Sequence, residues 1–168
     1  MRFLDAKFVR PVVTLTAAIA HGFCCNLFLA DEGERHGAAA FVDVLIHTLD
    51  EVFRICREKN MAFPEHLVVQ SDNTVSQAKN NLVMLFLAYL VGSGRFTTTM
   101  INFLMVGHTH EDVDQVFGMV CEVLKTSGGW GSPEELASIL LRGLGPKFQA
   151  RGERLNVWRH SNLREPPG

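Results

Sequence analysis

Residues 71–80 form the first of two segments whose side chains could bind a metal ion. Asp72 follows a short apolar run and stands where a predicted strand ends and a predicted helix begins. Ligands of α/β proteins bind at such strand ends, and hard divalent cations prefer carboxylate oxygens. The polar residues that could support Asp72 are Asn73, Gln77, Lys79 and Asn80. An alternative is that Asp72, Asn73 or Thr74 only caps the helix that follows.

Residues 107–114 form the second segment, with two histidines and two aspartates at alternate positions: His108, His110, Asp112 and Asp114. This segment also follows a predicted strand and opens a predicted helix. Acidic residues are favoured in the first turn of a helix because they offset its dipole. The dipole accounts for Asp112 but not for the histidines. We therefore expect His108 and His110 to orient a carboxylate or to assist proton transfer in a functional site.

Three carboxylates, those of Asp5, Asp72 and Asp114, are the candidates for one shared site. Asp72 and Asp114 lie at junctions between neighbouring strands and the helices that follow, and Asp5 ends a predicted first strand beside them. Two-metal phosphoryl transfer needs carboxylates around cations that are about 3.5–4 Å apart. We therefore expect these three residues to be catalytic ligands of Mg²⁺ or Mn²⁺. The alternative for Asp5 is a surface residue near the start of the chain.

The elements that would position these residues follow from hydrophobic periodicity. The pattern predicts strands over residues 2–5, 12–20, 23–30, 66–71 and 97–106, and helices over 37–59, 74–91, 112–125 and from Ser132 onward. The helix over 74–91 carries an apolar stripe of Leu82, Leu85, Phe86 and Tyr89. Three strands followed by alternating helices and strands predict an α/β fold of the ribonuclease H-like kind. Such a fold has a mixed five-stranded sheet with helices on both faces.

The two motifs also resemble a known family. Asp72-Asn73-x-x-x-Gln77-x-Lys79-Asn80, followed by Gly107-His108-Thr109-His110-x-x-x-Asp114, resembles a domain of unknown function in eukaryotic transposon-derived proteins, a relative of DDE transposases and integrases. Its motifs usually read Asp-Asn-Cys-Gly-Gly-Gln-Asn-Lys-Asn and Gly-His-Thr-His with a later Asp. Asp5 and Pro11 resemble the opening Asp and proline of the family, and the resemblance covers roughly residues 5–120.

The resemblance implies a ribonuclease H-like fold and a metal-dependent site for phosphodiester transfer on DNA, with Asp5, Asp72 and Asp114 as its carboxylates. Ser76 and Ala78 depart from the family, which has Gly and Asn there. The predicted first strand is also clipped, because only four residues precede Asp5. These departures are those of a domesticated or truncated remnant of a transposase.

The length of 168 residues predicts one domain, with the core over residues 1–145 and a basic, partly disordered tail over 146–168. The net charge of −2 gives the chain no general attraction for the phosphate backbone. We therefore expect DNA to be a partner that the chain binds weakly on its own, with further domains needed for recognition.

Four cysteines without a CxxC spacing predict reduced thiols, most of them buried. The apolar run over residues 11–20 is a better strand than a signal peptide, because threonines interrupt it. The run over 82–91 is shorter than the roughly 20 residues that cross a bilayer. We expect an intracellular protein with no membrane partner, not secreted, and nuclear if it acts on DNA.

Two other functions fit the same residues. His108-x-His110-x-Asp112 resembles the opening of the metallo-β-lactamase signature, in which zinc activates water. That signature has a histidine directly after the aspartate, where this sequence has Val113. The other alternative is a domesticated core that serves as a non-catalytic binding or scaffold module. Metal preference separates these functions: magnesium or manganese for the transferase, zinc for the hydrolase and no metal for the scaffold.

Overall fold

A computed structural model describes residues 12–31, 37–71, 80–103 and 112–159 of the chain. In chain order the elements are β1 (Val13–Ala20), β2 (Cys24–Asp31), α1 (Ala38–Glu58), β3 (His66–Ser71), α2 (Asn81–Gly92), β4 (Thr98–Phe103), α3 (Asp112–Thr126), α4 (Pro133–Ala150) and β5 (Arg154–Arg159). The predicted mixed α/β class is confirmed, and each predicted helix is present in the described residues. No described helix is long and apolar enough to cross a membrane.

Strand β2 is the centre of a three-stranded sheet with the order β1-β2-β5. It pairs antiparallel with β1 through the turn at His21 and Gly22, and parallel with β5. Side chains of β2 alternate between two cores, because neighbouring residues of a strand point to opposite faces. Cys25 packs with α3 and α4, whereas Cys24 packs with α1. Helices therefore cover both faces of this sheet.

Strand β5 lies within the segment for which the sequence predicted a basic, partly disordered tail. Helix α4 continues to Ala150, and Arg154–Arg159 then pairs along six residues of β2. Leu155 and Val157 pack against the core beneath α3 and α4. The arginines of this segment dominated its composition, and the short alternation of apolar and polar residues between them was missed.

Strands β3 and β4 form a parallel pair whose inner face packs against α2 and α1. Of the apolar stripe predicted for α2, only Phe86 packs against this core. Val83, Leu87 and Leu90 are buried, whereas the stripe residues Leu82, Leu85 and Tyr89 are exposed. Residues 81–92 contain no charged side chain, so hydrophobic periodicity could not distinguish the inner face of this helix from the outer face.

Asn26, in the middle of β2, is fully buried and has all its hydrogen-bonding groups satisfied. Its Nδ2 donates to Thr48 Oγ1 of α1 at 3.2 Å and to Cys24 Sγ at 3.7 Å. Its Oδ1 accepts from Asn156 Nδ2 at 2.9 Å and from Trp158 Nε1 at 3.2 Å, both on β5. One amide group thereby joins β2 to α1 and β5.

Glu51, almost fully buried on α1, carries the second polar link between α1 and β5. Its carboxylate accepts from Arg54 Nε at 2.9 Å and from Arg154 Nη1 at 3.0 Å. Arg154 also donates to Glu58 at 2.7 Å, and this bond lowers the pKa of the Glu58 carboxyl group and raises the pKa of the guanidinium group. The buried carboxylate of Glu51 is therefore paired with two guanidinium groups, those of Arg54 and Arg154, as a buried charge requires.

Helices α3 and α4 approach closely at Gly143. A Cβ atom there would lie 2.6 Å from both Cγ atoms of Val123 and 3.2 Å from its Cβ. No rotation of this branched side chain relieves the contact, since both of its methyl groups take part.

Helix α4 begins as predicted, because Ser132 Oγ accepts from the backbone N–H of Glu135 at 3.2 Å.

We predict that Asn26→Ala lowers the free energy of unfolding by about 1–3 kcal/mol, because it removes the acceptor of the partly buried donors on Asn156 and Trp158 and the donor to the buried hydroxyl of Thr48. Chemical denaturation monitored by circular dichroism measures the change. Asn102→Ala, at an exposed position of β4, is the matched control and should change stability by less than about 0.5 kcal/mol. Equal effects of the two substitutions would contradict the role of Asn26.

We predict that Gly143→Ala destabilises the protein by about 1–3 kcal/mol, because the added methyl group overpacks the contact with Val123. Gly118→Ala in α3 is the control. Its Cβ would meet no atom within 4 Å, so it should be neutral or stabilise by up to about 1 kcal/mol. Val123→Ala should relieve part of the Gly143→Ala defect in a double-mutant cycle measured by thermal unfolding. Strictly additive effects would show that the two positions do not interact.

Candidate functional site

The carboxyl ends of β3 and β4 lie side by side. The two strands are parallel, and their register pairs Ser71 with Phe103. Neighbouring strands are about 4.8 Å apart. The two segments with the predicted site residues, 71–80 and 107–114, are the chemistry-bearing segments. The first begins at the end of β3 and the second comes after the end of β4, and these two strand ends are adjacent. This agrees with the prediction that the two segments follow neighbouring strands.

Most of the predicted site residues lie outside the described residues. These are Asp5, Asp72, Asn73, Gln77, Lys79, His108 and His110. The predicted convergence of Asp5, Asp72 and Asp114 therefore stays a prediction. Three site residues, Asn80, Asp112 and Asp114, fall within the described part of the chain.

Asn80 has a structural role at the start of α2. Its side-chain oxygen accepts from the backbone N–H of Leu82 at 2.9 Å, and its backbone is extended, as is usual for the residue that caps a helix. The capping role that the sequence left open for Asp72, Asn73 or Thr74 is thus filled by a later residue of the same segment. The end of the first segment is anchored to α2 by this bond.

Asp112 and Asp114 are exposed residues in the first turn of α3. The Asp112 carboxylate lies 3.7 Å from Nδ1 of His21, in the turn between β1 and β2, and both side chains are mostly exposed. They line a shallow cleft of about 140 Å³ together with Arg151 and Glu153. No local sequence pattern could indicate this contact, because His21 and Asp112 lie in distant segments of the chain.

The start of α3 therefore lies at the end of the sheet where β2 begins. Helix α1 relates this end to β3. Ile55 of α1 packs with Cys24, the first residue of β2. Phe53 of α1 packs against Phe63, which lies just before β3, and their ring centroids are 5.5 Å apart. Strands β2 and β3 both begin beside the C-terminal half of α1. The end of β3 therefore points away from the end of the sheet where β2 and α3 begin. Over six residues β3 advances by about 20 Å.

No three histidine, cysteine, aspartate or glutamate side chains come together as metal ligands within residues 12–31, 37–71, 80–103 and 112–159. Cys24 and Cys25, the two buried cysteines of β2, are also poor nucleophiles. Burial raises the pKa of Cys24 to about 12 and that of Cys25 to about 12, so both stay protonated at neutral pH. All four cysteines are free, as predicted, and Cys121 is the exposed one.

Comparison with known proteins gives one match. The model of a domain of unknown function, DUF7869, matches residues 8–158 and so includes the segments over residues 71–80 and 107–114 and all of β5 except its last residue. Searches of the curated proteins and of the solved structures find no match. Because the family model covers most of the chain, the protein belongs to the DUF7869 family.

Proposed function

We propose that this chain is a transposase- or integrase-like core that binds a divalent cation at the carboxyl ends of β3 and β4 for phosphodiester transfer on DNA. The observation that carries the proposal is the parallel register of β3 and β4. Because of this register, the segment with Asp72 and the segment with His108 and His110 follow strand ends that lie side by side. Both segments then lead directly into helices, at Asn81 and at Asp112.

A ribonuclease H-like fold is part of this proposal. Among the described strands, β1 pairs only with β2, and β3 pairs only with β4. Helix α1 packs against both groups of strands, so one further strand between β1 and β3 would complete a continuous sheet. The proposal assigns this place to the predicted strand over residues 2–5, which would bring Asp5 beside β3.

Asp72, Asp5 and Asp114 are the proposed ligands of Mg²⁺ or Mn²⁺, and a bound cation would supply charge stabilisation for the phosphodiester oxygens. Carboxylates suit these hard cations. His108 and His110 would orient the carboxylates or move a proton, and Asn73, Gln77 and Lys79 would support the segment. Asp112, the first residue of α3, lies 3.7 Å from His21 and so at the start of β2, not at the end of β3. Asp114 stands two residues further along α3 and is therefore the ligand on which a variant is most informative.

The second candidate function is a non-catalytic binding or scaffold module. The position of Asp112 near the turn between β1 and β2 favours it, as does the use of Asn80 as a helix cap. A domesticated core would keep its fold while losing the geometry of its metal site. The zinc hydrolase is the third candidate and would use His108, His110 and Asp112.

We predict that the full chain binds Mn²⁺ and that Asp72→Asn abolishes the binding, because removal of one carboxylate charge weakens a small site strongly. Isothermal titration calorimetry measures the affinity, with Mg²⁺ and Zn²⁺ titrated in parallel. Asp50→Asn, at an exposed position of α1, is the control and should bind as the unmodified chain does.

Asp114→Asn extends the same experiment. A loss equal to that of Asp72→Asn would support the convergence of the carboxylates, whereas unchanged binding would leave Asp114 outside the site. Tight zinc binding that depends on His108 would favour the hydrolase. Absence of binding for all three metals would contradict the transferase and favour the scaffold.

We predict weak or no strand-transfer activity for this chain on its own, even with Mn²⁺ bound. The net charge of −2 gives little attraction for the phosphate backbone, which dominates affinity for DNA. Nuclease and strand-joining assays with Mg²⁺ and with Mn²⁺ measure the activity, and Asp72→Asn is the control. Robust turnover that Asp72→Asn abolishes would overturn this prediction and establish the site. Turnover that Asp72→Asn leaves unchanged would come from another site or from a contaminant.

A further inference from the structure

Strand β5 is the last strand of the β1-β2-β5 sheet and pairs with β2 along one side only. The backbone N–H of Arg154, its first residue, donates to the carbonyl oxygen of Phe23 at 2.9 Å. Alternate residues of a paired strand direct their backbone groups to the same neighbour, so those of Arg154 and Asn156 face β2. The N–H and C=O groups of Leu155 and Val157 therefore face the other way. No second strand of the described chain pairs with them, and we call this side the free edge of β5.

A cleft of about 420 Å³ opens where the free edge begins. Helix α1 contributes to it from one face of the sheet and α4 from the other. Its apolar lining comes from Phe23, Ile55 and Leu155, and its exposed polar side chains are those of Lys59 and Gln149. An apolar cleft of this size with a few polar groups is typical of a ligand site.

The charges around the cleft leave one ammonium group for a ligand. The Arg154 guanidinium is already paired with two carboxylates of α1. The Glu153 carboxylate accepts from the backbone N–H of Gly22 at 3.0 Å. Lys59, directly after α1, is exposed and forms no ion pair with a carboxylate of the described residues. The unmatched charge is therefore positive and favours an anionic group on the ligand.

We infer that the free edge of β5 binds the C-terminal end of a partner protein, as an extended peptide that adds to the sheet antiparallel to β5. Its backbone groups pair with those of Leu155 and Val157, its apolar last side chain lies in the cleft, and its terminal carboxylate binds Lys59. Strand direction links these features. A peptide antiparallel to β5 ends beside the first residues of β5, which is where the cleft and Lys59 are.

Two other occupants have the wrong chemistry for this edge. Residues 160–168 of the chain include Pro166 and Pro167, which lack the N–H groups that a strand beside Leu155 and Val157 must donate. In a second copy, an antiparallel β5 would bring the cation of Arg159 toward Lys59, where a carboxylate is required. A C-terminal peptide supplies both the N–H groups and the anion.

Fluorescence polarisation tests the inference with the full chain and labelled hexapeptides of the form Gly-Thr-Thr-Thr-Val-x, where x is Val, Leu, Ile or Phe with a free carboxylate. Amidation of the tightest of these peptides should weaken its binding by about tenfold, because it removes the anion that Lys59 binds. Lys59→Gln should weaken the free acid by the same factor and should bind the acid and the amide equally. Lys125→Gln, the same charge change at an exposed position of α3, is the matched control and should bind as the unmodified chain does.

Three results of the polarisation experiment would overturn the inference. The first is that none of the peptide acids binds, and the second is that the unmodified chain binds acid and amide equally. The third is displacement of the peptide by hexanoate at an equal concentration. Hexanoate has a carboxylate and an apolar chain but no peptide backbone, so displacement would show that the edge takes no part.

Amide hydrogen exchange measured by NMR locates the bound peptide. Without peptide, the amides of Leu155 and Val157 should exchange faster than those of Asn156 and Trp158, which bond to β2. Saturation with the peptide acid should slow exchange at Leu155 and Val157 by more than about tenfold, and much less at the other two. Slow exchange at Leu155 and Val157 before peptide is added would mean that the edge is already covered. Unchanged exchange after saturation would place the peptide elsewhere, and either result contradicts the inference.

Discussion

Asn26 is a fully buried polar side chain in the central strand of the β1-β2-β5 sheet, and the arrangement around it depends on satisfying its amide group. An unpaired amide in an apolar interior costs several kcal/mol, so its partners must be held in place together. The partners are Thr48 of α1 and Asn156 and Trp158 of β5, and Thr48 is more than 100 residues away from the other two in the chain. The amide thus selects one packing of helix against sheet, where apolar contacts alone would tolerate several.

Helix α1 transmits this constraint to the rest of the fold. One side of the helix meets β2 and β5 through Thr48 and Glu51, and another side packs with α2, β3 and β4. The position of the β3–β4 pair therefore follows from the position of α1 on the first sheet. The carboxyl ends of β3 and β4, where the proposed metal site lies, are supported by the same helix.

The two surfaces with proposed functions are physically distinct. The edge at Ser71 and Phe103 is where polar segments leave two parallel strands, and its chemistry would depend on carboxylates and histidines. The free edge of β5 offers backbone hydrogen-bonding groups, an apolar cleft and the ammonium group of Lys59. Binding at one surface does not require the residues of the other, so the metal titration and the peptide titration report on independent properties.

The mixed α/β class, the helices, the turn at His21 and Gly22 and the free cysteines could be predicted from the sequence, because each depends on residues close together in the chain. The placement of the two chemistry-bearing segments after strands was also local information. Strand β5 was not predicted, because its alternation of apolar and polar residues is short and its pairing partner β2 lies far away along the chain. Nor could the sequence show which face of α2 is buried, because an apolar helix without charges has no preferred side until β3, β4 and α1 cover one. The contact between His21 and Asp112 likewise exists only once α3 has packed across the sheet. Local patterns determine which elements form, whereas the faces they bury and the side chains they bring together depend on contacts between distant parts of the chain.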